Sequence, residues 1–371
     1  MRVQNLSSGA GPVTAGRLKS RRASPLRRLL GPAIGAVVML ANPAVAAAHG
    51  PVAPVATGYL AKIATAPMGL GAIVVDGYVR MWLRVPARDT LVVLDYRGAP
   101  YLRFNRAGVQ VNRNSEMYYL NQTPSAWAVP SGLTRTTRPH WQPASAGHDY
   151  EWHDGRLQAL ASVAIAPGTS YVGRWTIPID LDGRPTAIAG GLWHVGNPSI
   201  VWWWPLAVLF LCFWAAWRVR SPAVDRRLAA VLGVTALVAL SVACLARELH
   251  GRPGVSIFQR VELVLVLAFA AWQLKRVLSA RASWFSSLLI ALVALWQGLD
   301  LVPTLVNGYV LVEFPAALVR VATVICLGCA VCLGLLALRQ GDQAESGTRR
   351  RERRPDESDK PDFPREAHGV L

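Results

Sequence analysis

Cysteine is missing from residues 49–199: Cys212, Cys244, Cys326, Cys329 and Cys332 all fall later, in apolar stretches. A disulfide framework is therefore excluded for that region, and its roughly 150 residues must be held by a hydrophobic core of their own. Charge is also scarce. Only 16% of the chain is Asp, Glu, Lys or Arg while 52% is hydrophobic, a balance unlike that of a soluble protein. No G-x-S-x-G, H-E-x-x-H, phosphate-loop or dinucleotide-binding pattern occurs, so no enzymatic activity is expected.

Acids are the scarcer charge, 22 against 39 Lys and Arg, for a net charge of +17. Divided by region, residues 1–48 carry +7, 49–199 carry +4, 200–338 carry +6 and 339–371 carry zero. Much of the excess flanks apolar runs, where cations set membrane orientation, and no basic and aromatic stripe suggests a nucleic-acid partner.

What is present begins with a leader. Arg2, Arg17, Lys19, Arg21, Arg22, Arg27 and Arg28, with no acid among them, precede the apolar stretch 29–40 and the small-residue run ANPAVAAA. Residues 1–48 therefore read as a secretory signal peptide, and cleavage after Ala48 makes His49 the first mature residue; cleavage one or two residues earlier fits the same rule. Beyond residue 199, apolar runs at 200–217, 228–246, 261–279, 284–303 and 310–338 each approach the ~20 residues needed to cross hydrocarbon. About five transmembrane helices are expected. With the preceding domain outside, Arg218, Arg220, Arg226, Arg227, Lys275, Arg276, Arg281 and the cluster at 349–354 face the cytoplasm, as the positive-inside rule requires. Trp202, Trp203 and Trp204 then mark the outer boundary. The tail, 339–371, is rich in charge, Pro and Ser and is expected to be disordered.

Residues 49–199 read as all-β. In YVRMWLRV (78–85), Val79, Met81, Leu83 and Val85 share one face, and Tyr78, Arg80, Trp82 and Arg84 the other. Further strands are expected at 70–75, 90–96, 100–104, 160–165, 171–179 and 186–192. Asp76-Gly77 and Asp182-Gly183 supply hairpin turns. Many short strands between Gly and Pro favour an Ig-like β-sandwich. The Pro-, Ser-, Thr- and Gly-rich stretch 121–148 is too long for an ordinary connection, and reads as either a functional or a flexible loop.

Five of the seven histidines lie in this domain. His148, His153 and Asp154 form its densest group of ligand types, and an N-terminal His49 would add an amine and a ring nitrogen, a donor set suited to copper or zinc. Scattered surface histidines without a metal are the plainer reading. Within the apolar half, Glu262, Asp300, Glu313 and Arg320 are intramembrane charges toward the outer helix ends, with Glu313 and Arg320 expected on nearly one face of the last helix. They suit a cation or ligand vestibule, or plain interhelical ion pairs. Cys326, Cys329 and Cys332, at every third position, suit helix packing or passage of a soft cation.

The segments DYRGAPYLRFNRAGVQVNRNSEMYYLN (95–121), YEWHDGRL (150–157) and GRWTIPIDLDG (173–183) resemble a family of uncharacterised actinobacterial exported membrane proteins with a signature W-H-D-H-R-x-H-W. The resemblance spans about residues 50–200 and implies an exterior domain followed by membrane spans. By analogy with exported copper-resistance proteins that begin at histidine, it also implies envelope copper handling. Trp152, His153, Asp154 and Arg156 match the signature, whereas Gly155 and Gln158 replace its other two histidines, so the resemblance implies the fold more than the metal. The expectation is a multi-pass cell-membrane protein, its N-terminal domain extracytoplasmic and its tail cytoplasmic, with an exterior ligand- or metal-binding domain. The bilayer, and possible partnership with another envelope protein, complete it. The alternatives are a non-catalytic scaffold or assembly factor for an envelope complex, and a small-molecule or cation transporter.

Overall fold

The computed structural model describes residues 54–122, 126–158, 170–219, 221–250, 255–279 and 281–352, the last nine by backbone alone. The leader, His49 and the strand expected at 160–165 lie outside the described residues. A β-rich region comes first and a helical region second, as expected.

The β region holds β1 (Ala56–Thr57), β2 (Tyr59–Thr65), β3 (Gly71–Val75), β4 (Arg80–Arg84), β5 (Leu91–Leu94), β6 (Pro100–Asn105), β7 (Gly108–Asn112), β8 (Trp141–Ser145), β9 (Asp149–His153), β10 (Tyr171–Leu181) and β11 (Arg184–His194). A short helix α1 (Glu116–Leu120) follows β7. Seven strands pair in the order β2-β11-β10-β5-β6-β7-β8, and three in the order β3-β4-β9, all antiparallel.

The alternation in 78–85 matches its burial in part: Met81, Leu83 and Val85 are enclosed and Arg84 is exposed, but Val79 is only half-buried and Trp82 is buried. Trp82, on the other face, is covered partly by the Arg84 guanidinium, 5.1 Å from its ring centre. From the larger sheet, Leu91, Val93, Leu102, Phe104, Ile177, Ile179, Ile188 and Leu192 meet Met81, Leu83 and Trp152 of the smaller one in a single apolar cluster. Both Asp-Gly pairs turn hairpins. At Asp182-Gly183 the φ angles are 50° and 78°, and Leu181 pairs Arg184, the two-residue turn whose positive φ at both positions suits these residues.

Helices α2 (Trp204–Arg218), α3 (Pro222–Glu248), α4 (Ile257–Leu278), α5 (Trp284–Asp300), α6 (Pro303–Val306) and α7 (Ala316–Glu352) make up the second region. Three helical segments, Ile200–Arg218, Pro222–Glu248 and Ala316–Gln343, are long and apolar enough to cross a membrane, and α5 is a shorter apolar helix. Cys326, Cys329 and Cys332 are free thiols wholly enclosed in the bundle core beside Ala322, Ala330 and Leu333. Helix–helix packing accounts for their placement.

Two boundaries differ from the sequence reading. The last helix begins at Ala316, not at 310, because Pro315 disfavours helical backbone in the residue before it. Tyr309–Val310 instead forms β12 and pairs with β1, Thr57 opposite Tyr309 and Ala56 opposite Val310. At the other end α7 continues to Glu352, into the segment expected to be disordered, since extending an existing helix is far less costly than nucleating one. Residues 353–371 lie outside the described residues.

The β1–β12 pair joins the two regions. Leu311 N–H donates to Val55 carbonyl at 2.8 Å, Glu313 N–H to Ala246 carbonyl at 2.9 Å, and Val195 N–H to Gly58 carbonyl at 2.9 Å. At Gly308 the backbone passes so near Val195 and Gly196 that any Cβ would overlap their carbonyl oxygens. Val55, ahead of β1, is itself part of the bundle's core cluster.

Candidate functional site

The histidine-bearing segment is built into the smaller sheet. In β9, Asp149 lies opposite Arg84 and His153 opposite Arg80. His148 and His153 are thus separated by about 16 Å of extended chain. His153 and Asp154 are adjacent, and their side chains part: His153 is exposed, Asp154 wholly buried. Among the described residues, no three His, Cys, Asp or Glu side chains are grouped to hold a metal ion.

Asp154 is instead the centre of a latch. Its carboxylate accepts from Trp152 Nε1 at 2.9 Å, from the Arg156 backbone at 3.1 Å, and from Arg156 Nε at 2.8 Å and Nη2 at 2.6 Å. Arg156 Nη1 continues to the Leu94 carbonyl, 2.9 Å, and the guanidinium covers the Tyr96 ring. Tyr96 Oη accepts from Gly155 N–H at 2.7 Å. Asp95 next to it accepts from the Arg97 and Ala99 amides and from Ser115 Oγ. Two of the three segments that carry the resemblance, 95–121 and 150–157, therefore meet at one place, where they tie the end of β5 to the end of β9. Gly155 fits because a Cβ there would already stand 3.0 Å from the Tyr96 hydroxyl.

On the other side of β9, Arg80 bridges Asp76 and Glu151. Loss of hydration, and second the Arg80 cation, hold the His153 imidazole below its ordinary pKa. Loss of hydration raises Glu151 despite the opposing pull of Arg80. The loop 126–140 is folded against the domain. Arg97 Nη1 donates to Leu133 carbonyl at 2.8 Å, Asn114 Nδ2 to Arg138 carbonyl at 2.9 Å, and Trp127 N–H to Tyr119 carbonyl at 2.8 Å. The Trp127 side chain is half exposed, at 50%.

Of the four charges singled out in the helical half, two come together. Glu262 of α4 and Asp300 of α5 both receive Arg247 Nη1, at 3.3 and 2.7 Å, and Arg247 Nε lies 3.2 Å from Glu248 Oε1. Gln297 Nε2 adds a hydrogen bond to Glu262 at 3.3 Å, while its own Oε1 is buried without a hydrogen-bond partner. The apolar run 228–246 stops one residue short of Arg247, so the sequence leaves it outside the span. It ends α3, and the sequence signal for it was the adjacent Arg-Glu pair in an otherwise apolar run.

The expected placement of Glu313 and Arg320 on one face of the last helix is corrected: Glu313 precedes α7 and is exposed. Arg320 is buried and serves the joint between the regions. Its Nε donates to Thr304 carbonyl at 2.8 Å and its Nη2 to Asn307 and Gly308 carbonyls at 3.3 and 3.2 Å, with Trp202 covering it at 5.6 Å. Compared with protein-family models, curated proteins and solved structures, the chain matches none.

Proposed function

We propose that the chain is a multi-pass envelope membrane protein whose exterior β-sandwich is a non-catalytic recognition module seated on a five-helix bundle, acting as a receptor or scaffold for another envelope component. The observation that carries it is the joint: β1 pairs with β12, and Arg320 grips the turn that leads into β12. A passively tethered domain needs a linker only; here strand pairing and a buried guanidinium fix its position on the helices. α4 supports a fifth crossing although both of its ends are charged. Arg260 and Glu262 lie near its start and Lys275 and Arg276 at its end, where long side chains reach the interfaces and leave an apolar middle. A secretory reading of residues 1–48 and the cation bias of the far-end loops support an exterior position for the β domain.

The test is photo-crosslinking in cells from a benzoyl-phenylalanine placed at Trp127, Met68 or Tyr171, all exposed on the β domain. One discrete, reproducible adduct to an envelope protein is expected. Expressed protein that yields no adduct from any of the three positions contradicts the reading.

A second reading, cation transport, is favoured by one observation. Among the described residues, one guanidinium, Arg247, meets three carboxylates, leaving negative charge that a cation would balance. Asp300→Asn should then abolish cation flux in proteoliposomes at unchanged protein incorporation; wild-type flux no greater than that of empty vesicles contradicts it. Copper or zinc handling draws no support from the separation of His148 and His153 and rests on His49 alone.

A further inference from the structure

At the end of the bundle far from the β domain, a cavity of about 380 Å³ opens between α3, α5, the end of α4 and Gln340 of α7. Arg226 and Arg227 stand at its rim, Ser283 and Ser287 face them, and Val277 and Ile290 supply apolar lining. Both arginines are exposed, and the acid beside them in sequence does not neutralise them: Asp225 is buried and paired with Arg339 at 3.2 Å. Arg226 uses Nε on the Pro222 carbonyl at 3.4 Å, which leaves its terminal nitrogens for another acceptor.

The opposite wall is the N-terminus of α5, a helix of 17 residues. Ser283 caps it, accepting from Ser286 N–H at 3.4 Å, and the helix dipole makes this end favourable for an anion. The mouth is therefore cationic from both sides. Val277 and Ile290 below it are buried and offer a phosphate nothing, but they suit a hydrocarbon chain. A basic pocket between helices on the cytoplasmic side fits an anionic lipid headgroup.

We propose that this cavity binds an anionic phospholipid of the inner leaflet, its phosphate between Arg226, Arg227 and the start of α5, and the head of an acyl chain over Val277 and Ile290. The proposal rests on the multi-pass reading, which places this end of the bundle at the cytoplasmic face. Such a lipid would clamp the start of α3 to the start of α5.

The test is native mass spectrometry of the full chain, released from detergent in the presence of phosphatidylglycerol, phosphatidylcholine or inorganic phosphate. Wild type should retain phosphatidylglycerol, ignore phosphatidylcholine, and keep its lipid in millimolar phosphate. Arg226→Gln with Arg227→Gln should weaken retention roughly twentyfold to thirtyfold, from two membrane-surface cations, whereas Arg226→Lys with Arg227→Lys should largely preserve it. Equal retention by the glutamine pair, equal retention of both lipids, displacement by phosphate, or loss in the lysine pair as deep as in the glutamine pair would each overturn the proposal. Ser221→Cys, probed with an impermeant maleimide, tests the underlying orientation separately. It should label only after lysis, and labelling in intact cells sinks the multi-pass orientation whatever the lipid result.

Discussion

Asp154 shows how a ligand-type residue can be committed elsewhere. A buried carboxylate with four donors is stable only while its cation stays in place, and Arg156 has no comparable substitute for it. Asp154→Ala should therefore cost about 3 kcal/mol, seen as a lower urea midpoint for the β region, and Arg156→Ala a similar amount. His153 gives a pH dependence. Its pKa is lowered in the fold, so the unfolded chain binds the proton more readily. The stability it contributes is full above the ordinary histidine pKa and is lost as pH falls through the folded value. The melting temperature should fall more steeply between pH 7 and 5 in wild type than in His153→Gln; parallel curves would show that the shift has no energetic consequence. From the sequence, Asp154 and His153 read as metal-ligand types, because residue type suggests chemistry while only the fold shows that Asp154 is already bonded.

At the scale of elements, local pattern carried far. The alternation in 78–85 and the two Asp-Gly turns rest on backbone sterics and side-chain period, which need no distant partner; the first is seen in part in β4, and the turns join β3 to β4 and β10 to β11. The sequence pattern predicts no strand at β2, β7, β8 or β9. The charged and polar residues in Tyr59–Thr65, Trp141–Ser145 and Asp149–His153 blur any alternation, and these strands exist through pairing with distant ones. The β2–β11 pairing depends on Gly190, where a Cβ would overlap the Lys62 carbonyl and the Trp175 ring. Gly190→Val should destabilise the domain by at least ~2 kcal/mol, measured by chemical denaturation. In the helical half, runs of hydrophobicity located the helices, yet placed the last one six residues early, because Tyr309–Val310 is drawn into a strand by β1. That partner lies more than 200 residues away, beyond any local window.

For the whole molecule, the same joint gives the structure its consequence. The polar groups gathered in the helical half divide their work: Arg320 holds the turn under the β domain, and Arg247 collects Glu248, Glu262 and Asp300 at the same end of the bundle. The Glu313 backbone bonded to Ala246 connects the two, because Ala246 precedes Arg247 directly. Displacement of the β domain would thus reach the end of α3 through a short chain of contacts. Hydrogen–deuterium exchange on the full chain in lipid nanodiscs, comparing wild type with Gly308→Val, tests this most directly. Faster exchange at β1, β12 and the last turn of α3, with β5 and β10 unchanged, is the result predicted. A freed β1–β12 pair with unchanged exchange in α3 would contradict the claim that domain and bundle act together.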